Sequence, residues 1–287
     1  MKYLIRNGFG KSIVLSFLDG VSNILINISP LSKIKFFSFK LINSFGSVPL
    51  KQNSLKIECD VFLGYDNQQN NYSIKNNILT KNSQTKTYQY NNLSLGKITN
   101  VDFQNPLQIV IFYKNFNTVV LLDNQLNEIK KMDFNLQSTP INLEAVALSS
   151  QNQIWIYDSI SSKIGLYNVN TDTFKWISTM LENPISYYES DYTHFYWTDI
   201  NLNLYRISIY GTIEKLGNLP KFDAIQFTKN GNSIYKTDDK LYYYNLTSKS
   251  SSEIAIDEKI ISKFFFRDGI LSIFTQNEIT NYKIILP

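Results

Sequence analysis

Three aspartates recur at nearly constant spacing, and they are the first residues whose type and position could do chemistry. Asp158, Asp199 and Asp238 lie 41 and 39 residues apart. A ring of carboxylates could bind a cation or a sugar. The alternative is turn formation, because aspartate at the start of a tight turn accepts hydrogen bonds from nearby backbone N–H groups. We favour turn formation, since each aspartate would lie on its own repeat, too far from the next to share an ion.

Other residues with catalytic potential are isolated. His194 is the only histidine, which excludes any mechanism or metal site that needs two. Alternation along residues 193–198 indicates a half-buried strand residue rather than a ligand. Acids are adjacent at residues 238–239 and 257–258, but neighbours on a strand point to opposite faces and cannot converge on one pocket. We interpret both pairs as solvated loop charges.

Recognisable catalytic and cofactor motifs are absent from the sequence. There is no glycine-rich phosphate loop and no Gly-x-Ser-x-Gly elbow. Cys59 is the single cysteine, so an intrachain disulfide is excluded, and the charged residues Lys56 and Glu58 before it do not fit a lipoprotein signal. We therefore predict no catalytic residue, no cofactor and no metal ligand set.

Aromatic residues are the candidates for partner binding. The chain contains 19 Tyr and 19 Phe, and core packing accounts for most of them. Strand alternation must turn some members of each aromatic run outward, where Tyr and Trp make good anchors for a protein or a sugar ring. The candidate interaction residues are Tyr187, Tyr188, Trp197, Tyr242 and Trp176.

The elements that must position these side chains repeat about every 40 residues. Apolar runs at 153–158, 194–199 and 233–238 are each followed by a polar turn and a second apolar run. Units of three or four short strands with this period predict an all-β fold, a β-propeller of about six blades. The units cover residues 60–90, 97–132, 142–178, 184–216, 222–256 and 260–286. Five or seven blades, or a β-sandwich, are the alternatives.

The last unit contains only three strands, and this predicts how the ring closes. Residues 54–59 offer a fourth strand, so the start of the domain would pair beside its end. The propeller domain is predicted to span residues 52–287.

The charge of the chain is unevenly placed. The net charge is +4, but the first 50 residues alone carry six Lys/Arg and one acid. The rest is near neutral and shows no basic stripe, which argues against nucleic-acid binding. Charged residues make up 18% of the chain, below the roughly 25% of a typical soluble domain.

Residues 1–51 form an atypical N-terminal segment without a repeat. None of their apolar runs reaches the roughly 18 uncharged residues of a membrane-spanning helix. One interpretation is an export or targeting signal, and a second is a misassigned start site. Both interpretations predict that residues 1–51 are poorly ordered. A third is a genuine extra hairpin or helix on the domain.

Several stretches resemble a known family. Residues 96–113 (Gly-Lys-Ile-Thr-Asn-Val-Asp-Phe-Gln-Asn-Pro-Leu-Gln-Ile-Val-Ile-Phe-Tyr), 117–129 and 270–284 resemble small exported β-propeller proteins of Flavobacterium-like Bacteroidota. The resemblance covers residues 52–287. It implies a mature chain beginning near Gln52 and a periplasmic protein similar to accessory components of the type IX secretion translocon. It supplies no catalytic residues.

Two functional hypotheses follow. The first is a non-catalytic scaffold or docking propeller in the bacterial envelope, with protein partners in an envelope or outer-membrane complex, no nucleic acid and no transmembrane helix. The second is a propeller enzyme or sugar-binding protein with a calcium-type site at the central channel. Asp102, Glu144 and Asp223 are then the candidate residues near inner strands. A cytoplasmic propeller is a third possibility if residues 1–50 are a true N-terminus.

Overall fold

The computed structural model describes two compact units separately, residues 1–45 and 46–287. Structure is described for the backbone of residues 2–6, 12–18 and 21–27, and in full for residues 49–228, 231–258 and 260–286. In the first unit, strands β1 (Lys2–Arg6), β2 (Ser12–Leu18) and β3 (Val21–Asn27) form an antiparallel sheet in the order β1-β2-β3. Most of residues 1–48 lies outside the described residues, so the interpretations of this segment stay predictions.

The second unit is a β-propeller of six four-stranded antiparallel blades, as the repeat predicts. Strands are given from the innermost outward. Blade 1 is β5 (Val61–Tyr65), β6 (Asn71–Lys75), β7 (Ile78–Asn82) and β8 (Thr87–Tyr90); blade 2 is β9 (Asn100–Asp102), β10 (Ile109–Tyr113), β11 (Thr118–Leu122) and β12 (Glu128–Asp133); blade 3 is β13 (Leu143–Leu148), β14 (Gln153–Asp158), β15 (Lys163–Asn168) and β16 (Thr173–Trp176). Blade 4 is β17 (Ile185–Ser190), β18 (His194–Asp199), β19 (Asn203–Ser208) and β20 (Ile213–Asn218); blade 5 is β21 (Ala224–Phe227), β22 (Ser233–Thr237), β23 (Lys240–Asn245) and β24 (Ser250–Ile254); blade 6 is β25 (Lys263–Arg267), β26 (Ile270–Phe274), β27 (Glu278–Lys283) and β4 (Leu50–Lys56).

Strand β4 closes the ring. It pairs antiparallel with β27, placing Asn53 opposite Asn281 and Lys56 opposite Glu278. The prediction of an N-terminal closing strand is therefore confirmed, although the strand lies at Leu50–Lys56 rather than at residues 54–59. The propeller sheet thus begins two residues before the predicted domain limit.

The hydrophobic core is divided among the interfaces between neighbouring blades. The middle strands β10 and β11 are buried at every position, because both faces of a blade pack on other blades. In blades 3 and 4, Trp155 lies 5.8 Å from Phe195, centroid to centroid, within one such interface. Between blades 6 and 1 the described buried cluster is small, formed by Phe62, Phe274 and Ile279.

The antiparallel order gives the propeller two different faces. Loops between the second and third strands of each blade, and the linkers from one blade to the next, lie on one side, which we call the linker face. Loops between first and second strands, and between third and fourth strands, lie on the opposite side, which we call the hairpin face. None of the helices in the described part of the chain has the length and apolar character needed to cross a bilayer.

Candidate functional site

The innermost strands surround a central channel with a volume of about 1030 Å³. Asp102, Glu144 and Asp223, the three carboxylates that the sequence proposes for a channel site, all line it. They are not gathered, however. In residues 49–286 as described, no three His, Cys, Asp or Glu side chains lie close enough together to hold a metal ion. The channel therefore contains the predicted carboxylates, but among the described residues they do not come together as a group of three.

Asp102 is bound by the backbone of two blades. Its carboxylate accepts hydrogen bonds from the N–H of Gln104 (2.9 Å) in its own blade and of Leu148 (2.8 Å) in blade 3. Burial raises the pKa of Asp102, and the two backbone hydrogen bonds oppose that shift. Its carboxylate thus fastens blade 2 to blade 3.

The other two predicted carboxylates are also engaged. Glu144 forms an ion pair with Lys114. Asp223 accepts a hydrogen bond from the backbone N–H of Asp238 (2.8 Å) and lies 3.7 Å from the Nζ of Lys236. Each carboxylate has its own partner, so none of them is left to act together with another on a bound molecule.

Glu189 is a fourth channel carboxylate, which the sequence analysis did not single out. It accepts hydrogen bonds from the hydroxyl of Tyr187 and from the backbone N–H of Phe227 in blade 5 (3.0 Å). Burial raises its pKa to about 7, against the effect of those hydrogen bonds. A single glutamate in an inner strand belongs to no repeat, so no sequence signal marks it.

Polar side chains near the C-terminal ends of two other inner strands also form hydrogen bonds to the backbone of the next blade. Gln226 accepts a hydrogen bond from the N–H of Phe266 and donates one to its carbonyl oxygen, both at 2.7 Å. Arg267 of blade 6 donates to the carbonyl oxygen of Tyr65 in blade 1 (2.6 Å). The polar residues at this end of the channel therefore connect blades that have no backbone ladder between them.

The repeated aspartates serve turns, as we favoured. The buried carboxylate of Asp158 accepts from the backbone N–H groups of Asn142 (2.8 Å) and Ser161 (2.9 Å). That of Asp199 accepts from Asn201 (2.9 Å) and from both the backbone and side chain of Asn203 (2.9 and 2.8 Å). Asp238 occupies the turn differently, through a left-handed backbone with φ of 51°.

A turn pattern that the sequence analysis missed extends this chemistry to other blades. Asp66 and Asp123 bind the residues two and four positions later, including the Asn side chain at the fourth position, in the way Asp199 does. The signal was available as Asp-x-x-x-Asn at residues 66–70, 123–127 and 199–203. These carboxylates hold loops and are not free to bind ligands.

The remaining isolated candidates behave as local structural residues. His194 is half-buried at the start of β18, and its Nδ1 lies 2.9 Å from the Oγ1 of Thr193. Asp238, Asp239 and Asp257 are exposed in loops. Cys59 is free and half-buried, and burial raises the pKa of its thiol.

Of the five candidate interaction aromatics, Tyr187 and Tyr188 lie on the channel wall. The ring of Tyr188 stacks on Phe195 at 5.5 Å, and its hydroxyl accepts a hydrogen bond from the side chain of Asn100 in blade 2 (3.1 Å). Both tyrosines are half-buried and connect blades. They line the channel rather than an outer rim.

Of the other three candidates, Trp197 requires correction, whereas Trp176 and Tyr242 are half-buried and their role as anchors stays a prediction. Trp197 is 2% exposed and stacks on Tyr205 at 5.2 Å, so it is a core residue and not an exposed anchor. Trp176 packs partly buried against the core between blades 2 and 3. Tyr242 stacks on Tyr235 at 5.3 Å and is likewise partly buried. Trp197 is buried because both faces of a blade pack against neighbouring blades, so strand alternation does not expose every second residue to solvent.

Large apolar side chains are exposed on loops of both faces, and seven of them lie on the linker face. Their exposed fractions run from 46% for Phe116 to 88% for Leu93. They are Leu93, Phe116, Leu136, Ile160, Met180, Ile200 and Ile260. Apart from Ile260, they belong to the linkers and loops from the end of blade 1 to blade 4. This set is called the apolar loop set below.

The comparisons with known proteins identify the fold alone. No family model matches the chain, and no curated protein matches it. Similar solved structures include a catalytically inactive histidine-to-alanine variant of virginiamycin B lyase from Staphylococcus aureus with quinupristin (13% identity, 99% of this chain and 95% of that chain, TM-score 0.51). A protein of unknown function from Bacteroides thetaiotaomicron is similar at 12% identity over 99% of this chain and 90% of that chain, with a TM-score of 0.53. YCF48 bound to D1 peptide is similar at 9% identity over 79% and 82%, with a TM-score of 0.52. The chain is a six-bladed β-propeller with a propeller neighbour from Bacteroides, and these likenesses include both an enzyme and a peptide-bound protein.

Proposed function

We propose that this propeller is a non-catalytic interaction module that docks a protein segment on its linker face. The observation that carries the proposal is the exposure of the apolar loop set on that face, with Leu136 at 81% and Met180 at 69%. Concentration of exposed apolar side chains on one surface is typical of sites that bind other proteins, and the linker-face loops carry more of them than the hairpin-face loops, where Leu107, Tyr192 and Tyr210 are exposed. The loops are held by a rigid sheet scaffold, which is the usual arrangement for binding residues.

The internal partners of the channel carboxylates support a non-catalytic role. General acid–base catalysis needs a carboxylate or histidine free to exchange a proton with a bound molecule. Asp102, Glu144, Glu189 and Asp223 each hold a partner within the propeller. His194 is bonded to Thr193 and is not part of the channel lining. The similar lyase is inactive when one histidine is replaced by alanine, and the single histidine of this chain does not line the channel.

Charge indicates the chemistry of the partner. Asp238, Asp239 and Asp257 are exposed on the linker face, and no ion pair within the described residues involves them. Opposite charge across an interface speeds association and selects the partner. The segment that fits is therefore one with apolar side chains and accompanying Lys or Arg. The peptide on the similar propeller YCF48 supports docking of a peptide segment as a use of this fold.

The proposed cellular compartment is based on the family resemblance and is part of the proposal. We place the protein in the bacterial envelope, as an accessory of an outer-membrane or secretion assembly. Mass spectrometry of the mature N-terminus in the native cell tests this directly. A chain starting near Gln52 supports export, whereas a chain retaining residues 1–51 in the soluble cytoplasmic fraction contradicts it.

Peptide display tests the docking function. We expect a random peptide library to yield binders with apolar residues beside Lys or Arg, and Leu136→Ser with Met180→Ser to abolish their binding. The matched control is Leu107→Ser with Tyr210→Ser, which removes side chains of similar exposure (64% and 88%) from the hairpin face. Asp238→Asn with Asp239→Asn should weaken binding more at low salt than at high salt. Binders that ignore the first double variant, or that depend on the control residues, would overturn the proposal.

A further inference from the structure

Among the described residues, three cationic side chains line the channel, and two of them have partners within the propeller. Lys114 pairs with Glu144. Arg267 donates to the carbonyl oxygen of Tyr65, and its guanidinium carbon lies 5.6 Å from the centroid of the Phe265 ring. The third cation is Lys263, at the first position of β25. Within the described residues it makes no ion pair and no side-chain hydrogen bond.

The surroundings of Lys263 make this isolation costly. It lies in the channel wall, where burial lowers the pKa of its amine. A partly buried cation without a counter-ion is unfavourable, because it loses water without gaining a partner. Asp223, at the start of the neighbouring blade, is already engaged with Lys236 and the backbone of Asp238. All carboxylates that line the described part of the channel thus have other partners, and none of them balances Lys263.

About half of the channel wall is apolar, and two aromatic residues adjoin Lys263 in its own strand. Phe264 and Phe265 follow Lys263 in the same strand, and Phe222, Ala224 and Leu63 line the channel from the adjoining blades. A volume of about 1030 Å³ lies at the upper end of the roughly 300–1,000 Å³ found for small-molecule sites. An unpaired amine in an aromatic wall is suited to a ligand with one negative charge and a flat apolar body.

We propose that the channel binds a small organic monocarboxylate, with Lys263 as the counter-ion of the carboxylate and the aromatic wall enclosing the apolar body. A single charge is favoured over a phosphate, since Glu144 and Asp223, at the same end of the channel as Lys263, would repel a second negative charge. This site is separate from the docking surface on the linker-face loops.

Calorimetric titration of the full chain with 2-naphthoate tests the site, and 2-naphthamide serves as the neutral analogue. We expect saturable one-to-one binding of naphthoate, at least about tenfold weaker binding of naphthamide, and at least about tenfold weaker naphthoate binding by Lys263→Met. Lys263→Arg should retain the affinity within a few fold, and Lys175→Met, on the outer strand of blade 3, should leave it unchanged.

Three results would overturn the proposal: no saturable naphthoate binding by the unaltered protein, equal binding of naphthamide, or unchanged binding by Lys263→Met. The comparison of the two ligands needs no variant, so it decides the question even if a substitution prevents folding. Neither ligand tests the loops of the linker face, so a negative naphthoate titration leaves the docking proposal unaffected. A negative peptide-display experiment likewise leaves the channel proposal unaffected.

Discussion

Gly64 of blade 1 lies directly against the ring of Phe265 of blade 6, and any side chain at position 64 would clash with that ring. A Cβ placed on Gly64 would lie 2.5 Å from the ring of Phe265, and the backbone there has φ of +139°. Gly64 also lies at a register shift in the pairing of β5 with β6. The last blade thus approaches the first more closely than a side chain would permit, at the junction where the ring closes.

Gly64→Ala should destabilise the propeller by roughly 2–4 kcal/mol, because the new methyl group must displace the Phe265 ring and the backbone conformation is strained for alanine. Urea unfolding measures the loss. Gly269→Ala is the control, since Gly269 also has positive φ (+79°) but the nearest atom to its Cβ would be 3.5 Å away. Its substitution should cost only about 1 kcal/mol. Equal losses at the two positions would contradict the close approach.

Glu189 should make stability fall as the pH rises toward neutrality. Its pKa is about 7 in the folded protein and 4.5 for an unperturbed side chain, so the folded state binds the proton more tightly than the unfolded state. Its contribution is therefore fully present below about pH 4.5 and is lost as the pH rises through about 7, by at most about 3 kcal/mol. Unfolding of the protein and of Glu189→Gln should be followed from pH 4.5 to 8. The variant should lack this part of the slope, and identical slopes would contradict the assignment.

Asp199 should stabilise the turn between β18 and β19 strongly. Burial opposes its ionisation, but hydrogen bonds from Asn203 and Asn201 outweigh burial and lower its pKa. Asp199→Ala should cost about 1–2 kcal/mol in urea unfolding, since it removes the acceptor of several partly buried hydrogen bonds. Ionised Asp199 contributes above its unfolded pKa, and this contribution is lost as the pH falls through its lower folded pKa. Asp238→Ala, whose exposed side chain accepts none of the described hydrogen bonds, should change stability little.

The closing strand can be trapped covalently. Asn53 and Asn281 are opposite each other in β4 and β27, and their side chains are 2.8 Å apart. Opposed residues of this kind lie within the Cα separation of a disulfide. In a Cys59→Ser background, Asn53→Cys with Asn281→Cys should form an intrachain disulfide, detected by mass spectrometry of non-reduced peptides. Asn53→Cys with Ser272→Cys, two strands apart, should remain reduced.

The repeat made most of the fold predictable from sequence. Short apolar runs that end near Asp158, Asp199 and Asp238 become second strands of successive blades, because each run is followed by a tight polar turn and a second apolar run. The missing fourth strand of the last unit predicted closure by the N-terminal strand. The strand starts four residues and ends three residues earlier than predicted, because β4 is exposed at all seven positions and no burial pattern marks its limits.

The candidate site was less predictable, for reasons of geometry. Strand alternation identifies two sets of residues but not which set reaches solvent, and in a propeller both faces of a blade are covered. Trp197 is consequently buried, while Tyr187 and Tyr188, adjacent in sequence, both line the channel. Glu189 and Lys263 belong to no repeat, and their roles depend on partners in other blades or on the lack of one.

Hydrogen exchange of the propeller with and without a displayed peptide of the predicted type tests the docking claim most directly. If the peptide docks on the linker face, we expect slower exchange in the linker-face segments at residues 134–142 and 177–184. Exchange in the hairpin-face segments at residues 103–108 and 209–212 should be unchanged. Protection confined to the hairpin face, or to the channel strands alone, would contradict it.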